Sequence, residues 1–162
     1  MRVAVLSDTH SPRRWKGCPP AVAKRLARAD AILHAGDVCL AATLDELATF
    51  APVHVVVGNN DEAAVAGRAP ETLQLELAGL QIAMIHDSGR AHGRAARLRA
   101  RFPDAALVVF GHSHVPLNEV HHGQRLLNPG SPTDRRRQPQ GTMGEVTIKD
   151  GRLVSARIVA VT

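Results

Sequence analysis

The stretch Val3-Ala4-Val5-Leu6-Ser7-Asp8-Thr9-His10 decides the fold. Four aliphatic residues read as a buried strand, and a carboxylate and an imidazole follow almost at once. The same pattern recurs down the chain. Ala31 to Leu33 precedes Gly36-Asp37, and Val53 to Val57 precedes Gly58-Asn59-Asn60-Asp61. Leu80 to Ile85 precedes His86, and Leu107 to Phe110 precedes Gly111-His112-Ser113-His114. Each apolar run ends on residues able to ligate a metal, and open α/β sheets gather their sites outside the carboxyl ends of strands.

Asp, Asn and His offer carboxylate oxygen, amide oxygen and neutral imidazole nitrogen, the donors that hard-to-borderline divalent cations accept. The ordered set describes a two-metal hydrolytic site. Metals about 3.5–4 Å apart need a shared ligand. Asp37, central in the set, is the natural bridge because its carboxylate has two oxygens to share. His112 and His114 would lie on one face if their segment were extended.

In these motifs the chain resembles the calcineurin-like metallophosphoesterase superfamily, and within it the small prokaryotic phosphodiesterases related to the eukaryotic retromer subunit of the same fold. The resemblance runs from Ser7-Asp8-Thr9-His10 to Asn128-Pro129-Gly130-Ser131 and covers nearly the whole chain. It implies an α/β four-layer sandwich: two facing mixed β-sheets flanked by helices. It implies one metal on Asp8, His10, Asp37 and His114, and a second on Asp37, Asn59, His86 and His112. Asp37, Asn59 and His112 are then expected to carry catalysis, with a metal-bridging hydroxide attacking in line. The expected cofactors are two divalent ions, Mn²⁺ first, with Ni²⁺, Fe²⁺, Zn²⁺ and Mg²⁺ as alternatives. Small phosphodiesters, cyclic nucleotides among them, are the expected substrates. Phosphomonoester hydrolysis is the nearest alternative; a metal-stabilised interaction module, as in the related retromer subunit, is the alternative from another class.

Two positions depart from the superfamily pattern. Asn60 stands where larger members place a histidine, and an amide cannot protonate a leaving group; Asn60 is instead a candidate substrate contact. Asp87 stands where glycine is common after the histidine matching His86. It reads either as a carboxylate orienting an imidazole or as the start of the turn Asp87-Ser88-Gly89. Asp61 reads equally as support for a ligand or as a turn cap.

Composition bounds the remainder. The 162 residues, 44% hydrophobic and 22% charged, suit one soluble domain spanning the chain. The absence of a long apolar stretch or signal pattern leads to the expectation of a cytoplasmic protein without membrane attachment. Cys18 and Cys39 are expected to be free thiols. The net charge of +5 gathers in Arg13-Arg14-Trp15-Lys16, Arg94 to Arg101 and Arg135-Arg136-Arg137. Arg13 and Arg14 are candidates for gripping a substrate phosphate, whereas Arg94, Arg97 and Arg101 read as the wet face of a helix. With 2% aromatics and no tyrosine, a dedicated nucleic-acid binder is disfavoured. A homodimer is the expectation from general frequency alone.

Helices are predicted over Pro20 to Ala29, Leu44 to Phe50 and Ala91 to Phe102, the second with a Thr43/Glu46 capping box. Strands are predicted over Leu117 to His121, Gln124 to Leu127, Met143 to Ile148 and Leu153 to Val159, as an antiparallel extension with turns at His122-Gly123 and Asp150-Gly151. The stretch Thr133 to Gly141 reads as a loop near the substrate entrance or an oligomer contact. His34 is expected to hydrogen-bond beneath the site; His54, His92, His121 and His122 are expected to be structural or at the surface.

Overall fold

The computed structural model describes every residue from Met1 to Thr162 and contains ten strands in two sheets with four helices outside them. The first sheet has the order β10 (Arg152–Ala160), β9 (Thr142–Lys149), β1 (Arg2–Leu6), β2 (Ala31–His34), β3 (Val53–Val55). The second runs β4 (Thr72–Leu77), β5 (Leu80–Ile85), β6 (Leu107–Val109), β8 (Gln124–Asn128), β7 (Leu117–His121). Both are mixed: β1, β2 and β3 are mutually parallel, as are β5, β6 and β8, and antiparallel strands complete each sheet.

Alternation along β1 builds two layers at once. Val3 and Val5 join Leu33, Met84, Leu107 and Leu127 in the core between the sheets. Ala4 and Leu6 point the other way, to Val22 and Leu26 of α1 (Pro20–Leu26) and Leu47 of α2 (Ala41–Ala48). Beyond the second sheet, Leu98 of α4 (Arg94–Arg101) packs with Phe102, Val108, Phe110 and Leu126. Fully burying each such side chain is worth about 1.5–3 kcal/mol. The four-layer sandwich is therefore the observed architecture.

Several local expectations are corrected. The Thr43/Glu46 capping box does not form. Helix α2 starts at Ala41, whose N–H donates to Glu62 Oε1 at 2.9 Å. Thr43 lies inside the helix with its hydroxyl 2.6 Å from Ser11 Oγ. Glu46 instead accepts Trp15 Nε1–H at 2.7 Å and the Cys18 N–H at 2.8 Å. Helix α1 ends at Leu26 rather than Ala29, and α4 begins at Arg94 rather than Ala91. Strand β4 and the short α3 (Ala63–Ala66) were not predicted. The late strands form the two expected hairpins, but β8 adds parallel to β6 inside the second sheet and so is no antiparallel extension.

Three two-residue hairpin turns share one backbone form. Ala78-Gly79, His122-Gly123 and Asp150-Gly151 all have φ between 48° and 82°, the left-handed pair that matches the twist of the flanking strands. No helix is long and apolar enough to cross a membrane. Cys18 and Cys39 are free thiols.

Candidate metal centre

The carboxyl ends of β1, β2 and β3 from one sheet, and of β5, β6 and β8 from the other, open onto a single edge of the sandwich. Loops leaving them carry Asp8, His10, Asp37, Asn59, His86, His112 and His114, and the structure brings all seven together. Asp8 Oδ1 lies 3.4 Å from His114 Nε2 and 3.9 Å from His10 Nε2. The two imidazole nitrogens, His10 Nε2 and His114 Nε2, are 3.1 Å apart. Asn59 Oδ1 lies 3.1 Å from His86 Nε2 and 3.0 Å from His112 Nδ1. Between these groups sits Asp37, its Oδ2 3.7 Å from His10 Nε2 and 3.5 Å from His86 Nε2.

The loops reach this arrangement through an unusual backbone. Asp8, His10, Asp37, Cys39, His112 and His114 all have φ between 50° and 72°, a region costly for residues with a Cβ and concentrated at functional sites. Each loop places it at alternate residues. His112 and His114 are thus not neighbours on one strand face: His114 turns to Asp8 and His10, and His112 to Asn59.

Supporting bonds fix the donors. The His86 imidazole bonds the Ala35 carbonyl through Nδ1 at 2.7 Å, and His114 bonds the Asp134 carbonyl through Nδ1 at 2.5 Å. With the proton on Nδ1, each Nε2 lone pair faces the centre, the tautomer a metal requires. Ser7 Oγ–H and His112 N–H both donate to Asp8 Oδ2, at 2.7 and 3.0 Å. Asp61 accepts from the N–H groups of Gly58, Asp37 and Cys39 at 2.7, 3.2 and 2.6 Å, tying two ligand loops together. Ser131 Oγ–H donates to the Asp8 carbonyl at 2.7 Å, and Thr133 Oγ1–H to the Thr9 carbonyl at 2.8 Å. Two glycines permit the close approach: a Cβ on Gly58 would overlap Asp37, and one on Gly111 would overlap Ser7 Oγ.

Electrostatics distinguish the two carboxylates. Burial lifts the Asp8 carboxyl from 3.8 to about 7, and its Oδ1 is buried with no hydrogen-bond partner. Burial also opposes ionisation of Asp37, but the neighbouring His86 imidazole and two hydrogen bonds from Asn60 together outweigh it and hold that carboxyl well below its ordinary range. Burial depresses His10 and His114, which favours the neutral rings. Burial opposes protonation of His86, but the Asp37 contact, the bond to the Ala35 carbonyl and the Asp8 carboxylate together outweigh it and move the imidazole upward. An orphaned carboxylate oxygen facing neutral imidazoles is a donor set fitted to a divalent cation, since burial of such an oxygen is otherwise costly. Two clusters have the spacing to hold one: Asp8, His10 and His114, and Asp8, Asp37 and His86.

Other predicted residues fall at varied distances from the chemistry. Asn60 gives its N–H and Nδ2–H to Asp37, at 2.8 and 2.6 Å. Arg13 is exposed, and Arg14 Nε lies 3.7 Å from Asp134 Oδ1, which ties it to the rim. Asp87 is exposed and accepts the Gly89 N–H at 2.7 Å, the turn reading. Arg135 closes its own loop onto the Gln138 carbonyl at 2.7 Å. The wet-face reading of α4 holds for Arg97 and Arg101, which are exposed, but Arg94 is half-buried and stacks 5.1 Å from the Phe110 ring centre, and Arg97 also bonds the carbonyls of Ser88, Arg90 and His92. His34 is buried beneath the site as expected, 3.2 Å from Thr9 Oγ1 and lowered by burial to about 3. Asp134 escaped sequence reasoning because its carbonyl, available in any residue type, makes the contact with His114.

The sequence profile of the calcineurin-like phosphoesterase superfamily domain matches residues 1–151. The chain belongs to the calcineurin-like phosphoesterase superfamily. Among superfamily relatives, a protein of Methanothermobacter thermautotrophicus named a probable metallophosphoesterase is 34% identical over 161 residues, covering 98% of this chain and 92% of the relative. The Vps29 of Entamoeba histolytica in complex with Zn²⁺ superposes with a TM-score of 0.79 at 27% identity, over 99% of this chain and 98% of that one. A structure described as a novel archaeal phosphodiesterase shares the fold at TM-score 0.76 and 17% identity, over 99% of each chain. As a calcineurin-like phosphoesterase the chain is a phosphoester hydrolase with candidate ligands for divalent metal.

Proposed function

We propose that the chain is a cytoplasmic, divalent-metal-dependent phosphodiesterase acting on small phosphodiesters. The observation that carries this reading is the position of Asp37 Oδ2 between the Asp8/His10/His114 group and the Asn59/His86/His112 group. Asp8, His10, Asp37 and His114 would hold one ion, and Asp37, Asn59, His86 and His112 the other. When bound, two such ions supply Lewis-acid polarisation of the phosphoryl group and a lowered water pKa. The zinc held by the Entamoeba Vps29 supports a divalent ion here.

The chain's own residues prepare the site. Asp37 stays ionised because Asn60 donates to both of its oxygens and the His86 imidazole lies beside it. Ala35 and Asp134 fix the tautomers of His86 and His114. Asn60 cannot donate a proton to the leaving oxygen, which leaves that proton to water or another group. Arg14 is engaged with Asp134 at the rim, and Arg136 also lies near enough to His10 and His114 to oppose their protonation, so the diester reading rests on the likeness to small phosphodiesterases and not on a lack of positive charge. The interaction-module reading rests on the Vps29 likeness alone, and the complete donor set favours hydrolysis.

Parallel assays of bis-p-nitrophenyl phosphate and p-nitrophenyl phosphate with Mn²⁺, Mg²⁺, Zn²⁺ or Ni²⁺ test the substrate class. Higher kcat/KM on the diester is expected; preference for the monoester would make the chain a phosphomonoesterase.

A further inference from the structure

On the helix side of the first sheet, α1 does not reach across β1, β9 and β10, and a cleft of about 560 Å³ opens beside it. That volume is within the roughly 300–1,000 Å³ typical of small-molecule sites. Its wall carries Lys24, Arg25 and Arg28 from α1 and the turn after it, and its floor carries Arg2 from β1 and Arg157 from β10. One acid lines it, Glu145 of β9. Glu145 is shared between Arg25 at 2.6 Å and Arg157 at 3.2 Å, while Arg2, Lys24 and Arg28 make no side-chain ion pair. The carboxyl end of α1 accounts for Lys24 and Arg25 as cations favoured by the helix dipole. It does not account for Arg2 and Arg157, which reach the same cleft from two different strands.

Five cations line the cleft with one carboxylate, Asp30 beside them takes only the Arg2 backbone N–H, at 2.6 Å, and Arg and Lys heads grip phosphate oxygens through charge-assisted hydrogen bonds. The cleft is also remote from the metal centre. Arg2 opens β1 and Asp8 follows its other end, a separation of about 20 Å along an extended strand.

We propose that this cleft binds the polyphosphate group of a small anion, as carried by a nucleoside triphosphate or free inorganic polyphosphate. It is then a second phosphate site, and it stands whether or not the metal centre hydrolyses diesters.

Calorimetric titration of tripolyphosphate, ATP and orthophosphate into the chelator-treated full chain tests this. Tripolyphosphate is expected to bind more tightly than orthophosphate. The double variant Lys24→Glu/Arg28→Glu is expected to lose at least about tenfold in affinity, the scale of one lost charge-assisted contact. The double variant Arg90→Glu/Arg99→Glu changes net charge equally on exposed residues beside the other sheet, and should lose less than about threefold. Arg157→Gln, a milder change of an exposed side chain, should weaken binding in the same direction should the first variant melt early. ATP tighter than tripolyphosphate assigns a nucleotide, and equal binding assigns free polyphosphate. Equal losses in both double variants, or no binding to the wild-type chain, would overturn the proposal. So would retention of a poly-uridine oligonucleotide without tripolyphosphate binding, which would place a nucleic-acid backbone in the cleft.

Discussion

Asp8 shows most clearly how stability is set against function. Its Oδ1 is buried without a partner, and burial raises its carboxyl from 3.8 to about 7. Between those values the folded metal-free chain holds the proton more tightly than the unfolded chain does. Its stability therefore falls as pH rises through this window, and the penalty is complete above it. Asp8→Asn should stabilise the metal-free protein at pH about 8, by on the order of 4 kcal/mol, with the gap closing toward pH about 4. Comparing variant with wild type at each pH cancels the other titrating groups to first order. Chemical denaturation across pH checks this, and a gap that ignores pH or has the opposite sign would contradict it. The residue types at this scale were legible, because Asp, Asn and His after apolar runs admit few other readings. What they cannot show is the left-handed backbone at alternate ligand positions, or the Asp134 carbonyl behind His114, since every residue type has a carbonyl.

At the scale of elements, the ligand loops come close together because of what their glycines lack. A Cβ on Gly111 would overlap the Ser7 hydroxyl, which donates to Asp8 Oδ2. Gly111→Ala should therefore cost about 1–3 kcal/mol in stability, the usual penalty of overpacking, and weaken metal binding as well. Denaturation and metal titration of the variant check this; wild-type values for both would show that the loops give way freely. Strand β4 was legible but unread: Thr72-Leu73-Gln74-Leu75-Glu76-Leu77 alternates with period two and leads into Ala78-Gly79. The capping box failed for a tertiary reason. Glu46 is claimed by Trp15 and Cys18, and Glu62 from a distant loop receives the Ala41 N–H. Arg97 and Arg101 are solvated as their helical spacing suggests, but that spacing does not reveal that Arg94 stacks on Phe110 or that the preceding loop offers its carbonyls to Arg97.

For the whole molecule, two sheets meet so that one edge collects the carboxyl ends of six parallel strands and the ligands they carry. The sandwich was legible through the family resemblance, but sheet membership was not. Pairing β8 beside β6, with β9 beside β1 in the other sheet, depends on contacts far apart in sequence that no local pattern encodes. The ligand set draws on both sheets, so the site exists only once the sandwich has closed, and hydrolysis reports on the assembled molecule. The most direct test is turnover of bis-p-nitrophenyl phosphate after chelator stripping and Mn²⁺ add-back, with His112→Ala beside the wild-type chain. His112 is exposed, so the variant should fold and melt as the wild type does. Metal-dependent catalysis at this centre predicts activity that disappears on stripping, returns with Mn²⁺ in the wild type, and falls by at least about 100-fold in the variant. Turnover that survives stripping, or a folded His112→Ala chain that hydrolyses the diester at the wild-type rate, would contradict it.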